Sequence, residues 1–279
     1  MIVSHVAGGL GNQLFMWSFG RVVAERLGVD FGVDVANFSR FGGDYALHKY
    51  VLDRLRINPR IVKPEELDTF SIRMRADEKR LRYNAGIVQA IPDNCYLNFY
   101  AADYRYTEAK IHKIRAELTP LIALEGKNAQ LEQEMASCDS ISLHVRLKDY
   151  VTNPHCLLLP IGYFRNAVKY VWDRVSDPKV YLFTDDPEMV AKGNFRLGYP
   201  FTLIDWNDAD HNVEDMTLMS ACKHHVIANS SFSFWAAWLD GKHGITVAPS
   251  LYHRPDCKQL LDTYGEVAQP EYPHSWIII

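Results

Sequence analysis

Residues 1–6, MIVSHV, form a short apolar run in which Ile2, Val3 and Val6 are β-branched, and this predicts a buried strand. From Gln13 onward Leu14, Phe15, Trp17, Phe19, Val22, Val23 and Leu27 recur at helical spacing, and Gly28 stands where a helix end favours a left-handed residue. Residues 29–35 predict a second strand. Residues 37–94 are less regular and rich in Arg, Gly and Asp. Residues 95–106, CYLNFYAADYRY, predict a strand followed by aromatics that either pack as core or stack on a sugar face. Residues 109–135 are a charged helix-forming run, broken at Pro120, that could bridge two domains.

The second half alternates more cleanly. Ile141, Leu143 and Val145 interleave with Ser142, His144 and Arg146, the period of a strand with a polar face. A helix at 162–175, strands at 180–183 and 201–204, a helix at 215–222, a strand at 225–228, a helix at 231–239 and a strand at 245–248 follow. This rhythm predicts an α/β chain with parallel sheets and ligands at the carboxyl ends of the strands.

Length and charge narrow the picture. A chain of 279 residues suggests two domains, divided here as 1–135 and 136–279. Net charge is −4, and acidic and basic residues are balanced before position 140, so neither half has the footprint of a nucleic-acid binder. The locally basic segment 54–82 holds nine Lys or Arg against five acids, either a solvated face or an anionic-surface contact. Cys95, Cys138, Cys156, Cys222 and Cys257 are scattered without C-x-x-C spacing, which points to reduced thiols in a cytoplasm-like compartment. No apolar run approaches the ~18 residues of a membrane span, and no secretory signal is visible.

Between the first strand and helix lie Gly8, Gly9 and Gly11. Such a turn lets a ligand approach the backbone, and helix N-termini attract anions. The dinucleotide fingerprint fails at Leu14, and a P-loop fails at Asn12-Gln13. A plain turn stays open, as does one whose amides, Asn12 and Gln13, bind a polyol or phosphoester.

Three strand ends in the second half carry candidate chemistry. LHVRLKDY places His144, Arg146, Asp149 and Tyr150 past the first, where an arginine fork suits phosphate oxygens. FTDDPE ends the second: Asp186-Pro187 reads as a helix cap, leaving Thr184 and Asp185 to accept bonds from a base or ribose. ANSSFSFW ends the third, with Asn229, Ser230 and Ser231 opening a helix as a diphosphate cradle.

GGLGNQLF, LHVRLKDY, FTDD and DMTLMSACKHHVIANSSFSFWAAWL, in this order over nearly the whole chain, resemble the α-1,2-fucosyltransferases of glycosyltransferase family 11. The resemblance implies a GT-B architecture of two Rossmann-like domains facing a central cleft, with an N-terminal acceptor side and a C-terminal donor side. It implies a GDP-fucose donor, a galactose-containing acceptor, inversion at the sugar carbon and no metal or other cofactor. It assigns His144, Arg146, Asp185, Ser230, Ser231 and Phe232 to the donor, to which the strand-end reading adds Thr184 and Asn229, and Gly8, Gly9, Gly11 and Gln13 to a cleft turn that sets Asn12 near the transferred sugar. The family's second arginine is Leu147 here, and Lys148 follows it.

The reading is an inverting transferase in which Arg146 and the Ser230-Ser231 helix end stabilise the departing phosphate. Asp149, a water positioned through Asn12, or His5 would take the proton. Three rivals remain open: a metal-dependent transferase using Asp208 and Asp210 as a D-x-D pair, an inactive glycan-binding relative, and a nicotinamide oxidoreductase. His224-His225 is a weaker metal candidate. The product is expected to enter a surface polysaccharide such as O-antigen, made by a cytoplasmic enzyme with a peripheral contact at the inner membrane face through segment 54–82.

Overall fold

The computed structural model describes residues 1–40, 48–57, 59–75, 83–153, 156–264, 267 and 269–279. The chain forms two compact α/β units, Met1–Ile122 and Ala123–Ile279. Their division falls upstream of position 135 because the helix Gly126–Ser137 packs on the helix Asn212–Ala221 of the second unit. Ser140 Oγ also donates to the Met135 carbonyl at 2.6 Å, which ties that helix to the strand after it.

The first unit holds β1 (Ile2–His5), β2 (Phe31–Asp34), β3 (Arg60–Ile61), β4 (Ile72–Arg75) and β5 (Cys95–Asn98), all parallel, in the order β3-β2-β1-β5-β4. The register sets Ile2 beside Phe31 and Cys95, and His5 beside Asp34. The following helix, Leu10–Leu27, starts earlier than its apolar spacing suggests, so Gly11 and Asn12 lie in its first turn and the turn itself is Gly8-Gly9. Gly8 has φ +72°, and Gly28 closes the helix in the left-handed region as expected. The close helix–sheet approach that the dinucleotide fingerprint assigns to a third glycine is supplied by Gly20. A Cβ there would overlap Ser4 Oγ and come within 2.5 Å of Phe31 Cε2.

Tyr104 and Tyr106 are buried, and Phe19 meets the Tyr106 and Phe99 rings edge-on at 4.9 Å. Those aromatics are core, whereas Tyr100 is exposed. Of the basic segment 54–82, position 58 and positions 76–82 lie outside the described residues. Arg73 in its described part stacks over the Tyr96 ring at 5.2 Å.

The second unit carries β6 (Ser140–Val145), β7 (Lys179–Thr184), β8 (Thr202–Ile204), β9 (His224–Val226), β10 (Thr246–Ala248) and β11 (Ile277–Ile278), again parallel, in the order β11-β10-β9-β6-β7-β8. Every residue of β6 is buried. Ile141, Leu143 and Val145 pack with Val168, Val171 and Leu182 on one face. At Ser142 the polar face is paired internally: Ser142 Oγ lies 2.8 Å from His225 Nδ1, and His225 Nε2 lies 3.2 Å from Asp240 Oδ2. His224 Nδ1 accepts the Ile245 N–H at 2.9 Å, so both histidines serve the fold. Among the described residues no helix is long and apolar enough to cross a membrane.

Candidate functional site

In an open parallel sheet the carboxyl ends of two neighbouring strands diverge where the strand order reverses, leaving room for a ligand. In the second unit that point lies between β6 and β9. Arg146 leaves the end of β6 there, about one-quarter exposed, with Nη2 2.8 Å from Asp149 Oδ1 and Nε 3.2 Å from Asp185 Oδ2. Asp185 Oδ1 accepts the Leu147 N–H at 2.8 Å. The two carboxylates hold the guanidinium from one edge, while Nη1 has no partner among the described residues.

Asp185 is therefore not a free acceptor for base or ribose, as its sequence position suggests, but is committed to Arg146 and the Leu147 backbone. Asp149 likewise spends an oxygen on Arg146. Thr184 Oγ1 accepts the Asp186 N–H at 3.1 Å, and Asp186 caps Met189 at 3.0 Å ahead of Pro187, the expected cap. Leu147 is 7% exposed and belongs to the apolar core, whereas Lys148 is exposed at the start of the short helix Lys148–Thr152. Backbone geometry thus sends Leu147 inward, and Lys148 does not take the place of a second arginine beside Arg146.

The third strand end is more heavily used by the fold than its sequence suggests. Asn229 is buried, and its Nδ2 donates to the Leu157 and Tyr252 carbonyls at 2.9 and 2.8 Å, so its side chain ties the two loops together. Its own carbonyl accepts from the Tyr150 hydroxyl at 2.8 Å. Ser230 caps the helix Ser231–Leu239 by accepting the Phe232 N–H at 3.3 Å. The Ser231 hydroxyl has no partner among the described residues. Phe232 lies 5.5 Å, ring to ring, from His144.

His144 is 4% exposed, and its Nδ1 is buried without a hydrogen-bond partner. Burial, aided by the Arg146 charge, pushes its pKa down to about 3, so the ring is neutral near pH 7. An unpaired buried nitrogen costs about 1–3 kcal/mol. Arg146 and the N-terminus of the helix Ser231–Leu239 each offer N–H donors of the kind that suit phosphate oxygens.

Tyr252 went unnoticed in the sequence. It follows β10, its hydroxyl is hydrogen-bonded to the Ser231 backbone, and burial raises its pKa to about 12. The strand-end rule applied to β10 would have found it. Asp34, the last residue of β2, was missed in the same way.

In the first unit, Gln13 is fully buried, with Nε2 donating to the Gly8 and Lys49 carbonyls at 2.9 and 2.8 Å and Oε1 accepting the Val51 N–H at 3.2 Å. Its side chain braces the turn and is closed to a ligand. Asn12, half-buried in the first helical turn, has an amide without a partner among the described residues. The D-x-D pair is a local cap: Asp208 accepts the Asp210 N–H at 2.9 Å and pairs with His211 Nδ1 at 2.7 Å. Among the described residues no group of three or more His, Cys, Asp or Glu could hold a metal ion.

The chain is 28% identical to an alpha-1,2-colitosyltransferase of Escherichia coli over 90% of this chain and 91% of that protein. It is 26% identical to the O-antigen biosynthesis glycosyltransferase WbnK of Escherichia coli over 92% and 97%. Among solved structures, NodZ alpha-1,6-fucosyltransferase soaked with GDP-fucose superposes with a TM-score of 0.54 at 15% identity, covering 85% of this chain and 91% of that one. That likeness bears out the GT-B type of fold expected from the sequence. The profile of Glycosyl transferase family 11 matches residues 66–274. This chain belongs to glycosyltransferase family 11, enzymes that move a sugar from a nucleotide-sugar donor to a glycan acceptor.

Proposed function

We propose that the chain transfers fucose from GDP-fucose to the 2-hydroxyl of a galactose-containing glycan, with inversion at the anomeric carbon and without a metal ion. The observation that carries this reading is Arg146, fixed along one edge by Asp149 and Asp185, beside the Ser231–Leu239 helix end. The second unit is the donor side and the first unit the acceptor side. The bond from the anomeric carbon to the β-phosphate oxygen breaks as the acceptor oxygen attacks the opposite face. Arg146 Nη1, the Ser231 hydroxyl and the helix N-terminus then stabilise the negative charge gathering on the leaving phosphate. A neutral His144 offers a polar ring nitrogen without adding charge. The product belongs to a surface polysaccharide of the O-antigen kind, assembled in the cytoplasm.

A second donor is supported by the similarity to a colitosyltransferase. Colitose lacks one ring hydroxyl that fucose carries, so the two sugars differ little in the shape a donor pocket has to hold. The first experiment measures the thermal midpoint with GDP, GDP-fucose, GDP-colitose, UDP, CMP and NAD, each in EDTA, because a ligand bound to the folded state raises it. A selective rise with the guanine nucleotides, followed by EDTA-resistant transfer to lactose, is the expected result. A rise that requires Mn²⁺ and UDP would overturn the reading.

A further inference from the structure

The carboxyl end of the first unit's sheet carries a row of polar side chains that the fold does not use up. Asp34 ends β2, His5 ends β1 and Asn98 ends β5. The register pairs His5 with Asp34, and the Ser4–Leu97 pair one step earlier sets Asn98 beside His5 on its other flank. Side chains alternate between the two faces of a sheet, so residues in register share one face, and these three line up across adjacent strands. β1 and β5 also flank the point where this sheet reverses its order, the position at which parallel sheets bind ligands. The opposite face, through Ile2, Cys95 and Leu97, packs with Phe19 of the Leu10–Leu27 helix.

Tyr96 lies two residues before Asn98 on the same face, and Arg73, its neighbour in register, stacks over its ring at 5.2 Å. The Tyr96 hydroxyl donates to Asp34 Oδ2 at 2.7 Å, the Ala36 N–H donates to Oδ1 at 2.9 Å, and His5 Nδ1 lies 3.3 Å from Oδ2. Burial alone would raise the Asp34 pKa, but the bonds from His5, Ala36 and Tyr96 hold it down to about 2. Asp34 is thus a carboxylate, which only accepts hydrogen bonds. The proton of the His5 ring therefore sits on Nδ1, which leaves the lone pair on Nε2. That nitrogen has no partner among the described residues, and the side chain is 20% exposed. The half-buried Asn98 amide is also without a partner among them.

The row thus offers, side by side, a fixed acceptor and an amide that both donates and accepts. Neighbouring strands lie ~4.8 Å apart, a spacing that two hydroxyls of one hexose ring can bridge. The carboxylate behind the imidazole opposes an anionic ligand, whereas a neutral hydroxyl can donate to Nε2 and take a bond from the amide.

We propose that this row is a saccharide site, at which His5 Nε2 and the Asn98 amide hydrogen-bond ring hydroxyls of the glycan acceptor and Asp34 is the positioning residue for His5. That the saccharide is the acceptor rests on the transferase reading above; the site itself is built from the first unit alone and needs no nucleotide.

The first arm of the test uses the full chain without nucleotide, labelled with ¹⁵N in its histidine rings and titrated with lactose. The His5 Nε2 resonance, assigned by its loss in His5→Gln, should move saturably, and inorganic phosphate should leave it in place. In Asp34→Asn the same resonance of the free protein should move toward the protonated form, because an amide no longer fixes the tautomer; a merely structural carboxylate would not give that signature. The second arm measures transfer from GDP-fucose. His5→Phe and Asn98→Ala should each raise the lactose KM by about 5–10-fold, the size of one neutral hydrogen bond, with the donor KM and the GDP-induced rise in thermal midpoint unchanged. Asn98→Ala, at a half-buried strand end, keeps this arm open where a His5 variant fails to fold. A His5 signal that ignores lactose at concentrations saturating transfer, or a parental lactose KM in folded Asn98→Ala, overturns the site and leaves the transferase reading intact. A parent that neither responds to GDP nor forms product overturns that reading, and the acceptor role of this site with it.

Discussion

Nε of Arg146 lies 3.2 Å from Oδ2 of Asp185, whose other oxygen accepts the Leu147 N–H at 2.8 Å. One carboxylate just past β7 thus both holds the backbone leaving β6 and pairs with the guanidinium. Arg146→Ala should lower kcat/KM for transfer by about 10²–10³-fold, the scale of one lost charge-stabilising donor, with little change in the thermal midpoint. Arg146→Lys should recover only a minor part, since an ammonium cannot use the fixed edge. Asp185→Asn can still accept from Leu147 but loses the ion pair, so we expect an intermediate loss, about 10-fold or more. Steady-state kinetics with varied donor, beside circular dichroism, check all three.

His144 makes stability depend on pH. Its folded pKa is about 3 against a reference of 6.5, so between these values the unfolded chain binds more protons. Stability is complete above about pH 6.5 and is lost as pH falls toward 3, at a limiting slope of about 1.4 kcal/mol per pH unit. Replacing His144 with Asn removes this contribution. The difference in denaturant midpoint between parent and variant should shift in the variant's favour from pH 7 to pH 4; a constant difference would show that His144 protonates as readily folded as unfolded.

Asp215 has the opposite sign. Burial raises its pKa from 3.8 to about 7, opposed by the bond from Asn207 Nδ2 at 2.6 Å. The folded state holds the proton more tightly, so this contribution is present below about pH 3.8 and is lost as pH rises through about 7. An Asp215→Asn variant should therefore gain thermal stability relative to the parent at pH 8 and lose that advantage at pH 4. Melting curves at the two pH values decide it.

Gly20 is held by packing. A methyl group would meet Ser4 Oγ and the Phe31 ring, so Gly20→Ala must push the first helix off its sheet despite alanine's better helix propensity. We expect a loss of about 1–3 kcal/mol, the scale of overpacking, read from chemical denaturation.

Local rules reached far along this chain. Apolar spacing marked β1, β6, β7, the helix Ser231–Leu239 and its serine cap, and the Asp186-Pro187 start, because each depends on residues close in sequence. Its motifs also carried the family and the strand ends where chemistry belongs. The two-residue strands β3 and β11 were not legible, since a segment that short becomes a strand only through its neighbour's hydrogen bonds.

Tertiary structure alone decided which polar side chains are free. Asn229, Gln13 and Asp185 look available in sequence, yet each is consumed by bonds to distant residues: Tyr252, Lys49 and Arg146 respectively. Leu147 looks like a missing charge and is instead part of the core. The pairing of His5 with Asp34 joins residues far apart in sequence through the register of β1 and β2. Residue type and local spacing say what a side chain can do; partners brought together by the sheet determine whether it is left free to do it.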